Sequence, residues 1–158
     1  MAMVEKRSGF TLIELLIVIG VAAFLMVALA PIAIGAVRKS KAMRIYRNLV
    51  SMERAVEYYL VNERINDLSG SYPSTMVEYL CERDYIDPCP EKIDVSEPGG
   101  WKIFVFQDIR DGKKYLVIRV VYYWKDEGER KACERYLEDP YVEISSSFIK
   151  YEREFSRL

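Results

Sequence analysis

Glu14 is the residue of this sequence whose position most demands a chemical account. It stands at the head of an apolar run, with no other charge until Arg38. A carboxylate inside a bilayer-length helix costs a few kcal/mol even on lenient insertion scales, so it needs a cation. The other reactive side chains form no such demand. Histidine is absent, which removes the commonest general base and the commonest metal ligand. Cys81, Cys89 and Cys133 have neither metal-ligand nor Cys-x-x-Cys spacing. Asp84, Asp87, Asp94 and Glu97 could offer oxygens to calcium, but their spacing is not that of an EF-hand loop, and solvated loop charge is the expectation. No nucleophile and base stand in a recognisable pattern, so neither an enzyme nor a cofactor is expected.

The element that must carry Glu14 is long. From Leu15 to Val37 there are 23 residues without a charge. At about 1.5 Å per residue, that helix matches the ~30 Å hydrocarbon core of a bilayer. Three readings follow. A cleaved secretory signal would use Lys6 and Arg7 as its basic region and Ala28-Leu29-Ala30 or Ala33-Ile34-Gly35 as its cleavage site, although Pro31 would follow the first cut directly. A plain anchor meets a charge bias, because Arg38, Lys39, Lys41, Arg44 and Arg47 outnumber Lys6 and Arg7. The positive-inside rule alone would then leave the C-terminal part in the cytoplasm.

The third reading rests on Lys6-Arg7-Ser8-Gly9-Phe10-Thr11-Leu12-Ile13-Glu14-Leu15-Leu16, which closely resembles the N-terminal signature of type IV pilins and type II secretion pseudopilins. The resemblance implies a leader of residues 1–9, cut between Gly9 and Phe10 by prepilin peptidase, which then methylates the new Phe10 amine. It implies that Glu14 pairs with the Phe10 amine of a neighbouring subunit and so sets axial register in a filament. Pro31, 21 residues beyond Phe10, lies where many family members carry a helix-kinking proline. Proline also removes a backbone donor there and should kink or loosen the helix. Implied partners are the peptidase, an inner-membrane assembly platform with its cytoplasmic ATPase, and other pilin or pseudopilin subunits. The implied location is a single pass of the inner membrane with the head outside the cytoplasm, then a periplasmic or cell-surface filament. A minor pilin or a pseudopilin is the expectation. Glu14 argues against the large tip pseudopilin, which typically lacks that glutamate.

Beyond Val37, Ala42, Ile45, Leu49, Met52, Val56 and Tyr59 recur at steps of three and four, an apolar stripe for packing. The expected plan is a membrane half of the helix over residues 10–37, an amphipathic half over 38–64, and an α+β head over 65–158. In that head, Thr75 and Glu78 have capping-box spacing for a short helix. Trp101–Phe106 and Tyr115–Trp124 read as strands joined at Asp111-Gly112, with further strands over Tyr141–Ile144 and Phe148–Tyr151 and a helix or loop over Glu129–Glu138. The fold class is therefore a long helix on a small antiparallel sheet. Three cysteines imply one disulfide and a spare thiol. Cys81 falls on the apolar side of its helix with Val77, which favours Cys89 with Cys133 as the pair. Tyr122-Tyr123-Trp124-Lys125 and Lys113-Lys114 mix aromatic and basic groups of the kind that bind single-stranded DNA, as some minor pilins do for uptake. The net charge of −1 and the nearby Asp126, Glu127 and Glu129 make sheet packing the expectation instead.

Overall fold

A computed structural model describes residues 10–63, 76–93 and 96–155. They form two compact units that meet between Val37 and Arg38. Helix α1 (Leu12–Asn62) contributes to both, and its 51 residues include Pro31 without interruption. Every described residue of the first unit is exposed except Gly35, which is partly covered. It includes an apolar stretch of mean hydropathy 2.8, none of which is buried. By length and composition this is a helix able to cross a bilayer.

The second unit is α+β. After α1 come α2 (Met76–Glu82), β1 (Trp101–Arg110), β2 (Lys113–Tyr123), α3 (Glu127–Tyr136), β3 (Val142–Ile144) and β4 (Phe148–Phe155). The strands form one antiparallel sheet in the order β1-β2-β4-β3. Asp111 and Gly112 both take positive φ, the conformation a two-residue hairpin loop needs, and the ladder closes at Arg110 opposite Lys113. Trp101 pairs with Tyr122 and Val120 with Tyr151, so alternate residues of neighbouring strands share one face.

That face meets α1. Ala42, Ile45, Leu49, Met52 and Val56 are buried in one cluster with Ile103, Ile118, Val120, Ile149 and Tyr151, and α2 adds Met76, Val77 and Leu80. Burying each aliphatic side chain is worth about 1.5–3 kcal/mol, so this cluster is the main stabilising term of the head. Strand β2 is central and buries Val117 and Val121 on its second face too. Residues 64–75, with Thr75, lie outside the described residues, as does Asp94.

The disulfide expectation is corrected. Cys81 is bonded to Cys89, with Cα atoms 5.6 Å apart, and Cys133 is the free, buried thiol. Helix α2 ends in a left-handed cap at Asp84 (φ 58°). The Tyr85 amide donates to Leu80 O at 2.9 Å and the Asp84 amide to Cys81 O at 3.2 Å. This cap turns the chain back at once, so Cys89 returns to the last turn of α2. Val77 and Leu80 keep the buried face of that short helix, while Cys81 is only half-buried in its last turn. Cys133 is held inward by α3, fully buried.

Candidate assembly site

The first turn of α1 is built by a reciprocal pair. The Thr11 hydroxyl oxygen accepts from the Glu14 amide at 3.4 Å. The Glu14 carboxylate, through Oε2, accepts from the Thr11 amide and from the Thr11 hydroxyl, each at 2.8 Å. Thr11 is thus the N-cap and Glu14 the third helical residue of a capping box. The negative charge also sits at the end of the helix where the backbone dipole favours it. Thr11 is a residue that sequence reasoning passed over, although Thr-x-x-Glu was legible at that point.

The geometry has a chemical consequence. The carboxylate is turned toward the chain terminus side of its own helix and holds the backbone N–H one residue after Phe10. Phe10 itself is 81% exposed. A cation placed on the Phe10 nitrogen would therefore lie in the neighbourhood of Oε2. Gly9, Lys6 and Arg7 lie outside the described residues. Downstream of Glu14 the exposed helix offers only uncharged surface from Leu15 to Val37. A Cβ at Gly20 would meet nothing within 4 Å, so the smallness of that residue serves no contact within this chain.

Residues 5–30 match the family model described as the prokaryotic N-terminal methylation motif. The chain carries the type IV pilin and pseudopilin signature. The matched span holds Gly9, Phe10 and Glu14 and stops one residue before Pro31. The signature implies processing by prepilin peptidase and association with other pilin subunits, and together with the apolar helix it fits an inner-membrane-anchored pilin. No curated protein and no solved structure matches the chain.

The head places the remaining sequence candidates in structural roles. Tyr122 is buried and its hydroxyl donates to Glu129 Oε2 at 2.8 Å. Burial and that bond both push the Tyr122 phenol well above its usual range. The same Glu129 oxygen accepts from the Lys125 amide at 3.1 Å, while the Glu129 amide donates to Asp126, the N-cap of α3. Trp124 is buried, and its indole N–H donates to Ser145 O at 3.0 Å. Two of the three aromatic rings are therefore inside the fold, and Tyr123 packs on Phe148, in keeping with the expected sheet packing. Asp84, Asp87 and Glu97 are exposed, and the described residues contain no cluster of three ligating side chains. An open groove of about 740 Å³ runs beside the disulfide loop. Its charges are of both signs, with Asp87 and Glu91 beside Arg44 and Lys92, so it selects no ligand class.

Proposed function

We propose that this chain is a structural subunit of an extracytoplasmic filament, a type IV pilus or a type II secretion pseudopilus, and that it is stored in the inner membrane with its head outside the cytoplasm. The observation that carries this reading is the capped Glu14 carboxylate at the start of an unburied apolar helix, inside the matched methylation motif. The prepilin peptidase cuts between Gly9 and Phe10 and methylates the new amine, leaving a cation next to the carboxylate. In the membrane, that amine and Glu14 offset one another within one chain. During assembly, driven by the platform and its ATPase, Glu14 pairs with the Phe10 amine of a neighbouring subunit. An unpaired carboxylate in apolar surroundings is costly, so a subunit that stops at the wrong axial step is penalised by several kcal/mol. The apolar flank from Leu15 to Val37 then exchanges lipid for other helices, where dispersion packing replaces a hydrophobic driving force. Pro31, lacking an amide hydrogen, is the point at which the helix loosens within the filament.

The test is the mass and first residue of the native protein extracted by detergent from its own cells. An N-methylated Phe10 is expected. A chain starting at Pro31 or Ala36 would mark an ordinary secreted protein, and an intact Met1 a plain anchor; either outcome overturns the proposal.

A further inference from the structure

Among the described residues, the densest run of like charge forms no ion pair. Between Leu15 and Met52 there is no acidic residue, yet Arg38, Lys39, Lys41, Arg44 and Arg47 fall within ten consecutive positions. All five are exposed. Among the described residues, half of the other arginine and lysine side chains of the head find carboxylates, as Arg110 does with Asp108 and Glu154 and Lys150 with Glu143. None of these five takes part in an ion pair among the described residues.

Their arrangement on α1 is equally informative. At about 100° per residue the five side chains leave the axis in five directions, with no gap wider than roughly 100°. They form a partial ring rather than a stripe, closed from Ala42 onward on the face where Ala42 and Ile45 are buried against the sheet. An acidic protein groove meets one face of a helix and would be matched by cations on that face. A partial ring suits a medium that bathes every face the head leaves open. The ring also begins at the first residue after the uncharged stretch that ends at Val37, and it extends only about 14 Å along the axis. Long basic side chains can bend along the helix to concentrate their charges in a thinner layer. A helix whose apolar stretch fills the hydrocarbon would emerge among lipid headgroups at that residue.

We propose that Arg38, Lys39, Lys41, Arg44 and Arg47 form a collar that binds anionic phospholipid headgroups in the leaflet at the Arg38 end of the span. The inference rests on the proposed membrane storage of the chain. The collar fixes the depth of the stored subunit and raises the concentration of anionic lipid around it. Each cation near an anionic surface is worth about fivefold in binding at moderate salt, so five acting together give a strong local preference.

The experiment uses the full chain reconstituted in phosphatidylcholine bilayers containing spin-labelled phosphatidylglycerol or spin-labelled phosphatidylcholine. The motionally restricted fraction of each label is read by electron paramagnetic resonance. A several-fold preference for phosphatidylglycerol is expected, weakening as salt is raised. The variant R38Q/K39Q/K41Q/R44Q/R47Q should lose it, R38Q/K39Q should lose part of it, and K113Q/K114Q on the sheet hairpin should keep it. Retention of the preference in the fivefold variant, or its loss in K6Q/R7Q, overturns the collar. Release of the chain from the vesicles by alkaline carbonate overturns the membrane span and the collar with it, so the two failures are told apart.

Discussion

The two halves of α1 follow the same helical geometry and reach opposite outcomes. From Leu12 to Val37 the helix exposes Ile13, Leu16, Phe24 and Val27 along with nearly every other side chain, and its polar bonding is confined to Thr11 and Glu14. From Ala42 onward the same helix buries one side chain per turn or more against a sheet and a short helix. Apolar residues are abundant in both halves. What differs is the pattern: uniform apolarity leaves no polar face to turn to water, whereas a stripe leaves the other faces free for Arg44, Arg47 and Glu57. The first half therefore needs burial supplied by lipid or by other subunits, while the second completes its burial inside one chain. A subunit that moves from membrane to filament needs the first kind of surface, and a head that keeps its shape throughout needs the second.

Substitutions on the two sides should separate these roles, the largest effect first. Glu14→Leu is expected to insert into the membrane normally and to abolish filaments outright, as scored by electron microscopy and by carbonate-resistant membrane retention. Filaments of normal number would remove Glu14 from the register mechanism. Ile118→Ala, in the central strand, should destabilise the head by about 3 kcal/mol, whereas Val21→Ala should leave head unfolding unmoved. Near-UV circular dichroism during urea unfolding in detergent resolves the two, and equal shifts would contradict the separation of the halves.

The disulfide sharpens the contrast within the head. Opening Cys81–Cys89 with Cys81→Ala should cost about 2.5 kcal/mol, the loop-closure value for so short a ring. Cys133→Ala should leave the non-reducing peptide map unchanged. Burial pushes the Cys133 thiol up to about 12, with Glu129 and Glu134 adding to the shift, so it should resist alkylation until the head unfolds. A Cys133-containing cross-linked peptide from the native protein would contradict this pairing.

The smallest expected effect concerns Glu53, which is fully buried on α1 with Oε1 3.4 Å from Arg153 Nη1 and, among the described residues, Oε2 without a hydrogen-bond partner. Desolvation raises its carboxyl above the usual value of 4.5, and the Arg153 guanidinium offsets this only in part. The folded head therefore holds this proton more tightly than the unfolded chain. That contribution is fully present below the ordinary carboxylate pKa and is lost as pH rises through the raised folded value. Glu53→Gln should remove this slope and change stability at neutral pH by under about 1 kcal/mol. Stability profiles of the two proteins between pH 4 and pH 7 are compared, and parallel curves would refute the assignment.

Much of this molecule was written in local pattern. The run from Leu15 to Val37 defines a bilayer-length helix through composition alone, because lipid imposes a requirement on every residue in turn. The stripe from Ala42 to Tyr59, the Asp111-Gly112 turn and the alternation in β1 likewise specify the α+β head through short-range geometry. Thr11 and Glu14 belong to the same class, since a capping box spans only one turn. Two decisions belonged to tertiary structure. Cys81 found Cys89 because a left-handed cap at Asp84 reversed the chain, and helical periodicity cannot anticipate where a helix will end. Tyr122, Trp124 and Glu53 became buried because distant segments closed over them: α3, the Ser145 turn and β4. Sheet packing was the expectation for Tyr122 and Trp124, whereas residue type gives no sign that Glu53 lies inside. Which of them meets solvent depends on contacts across as many as 100 residues of sequence, as between Glu53 and Arg153.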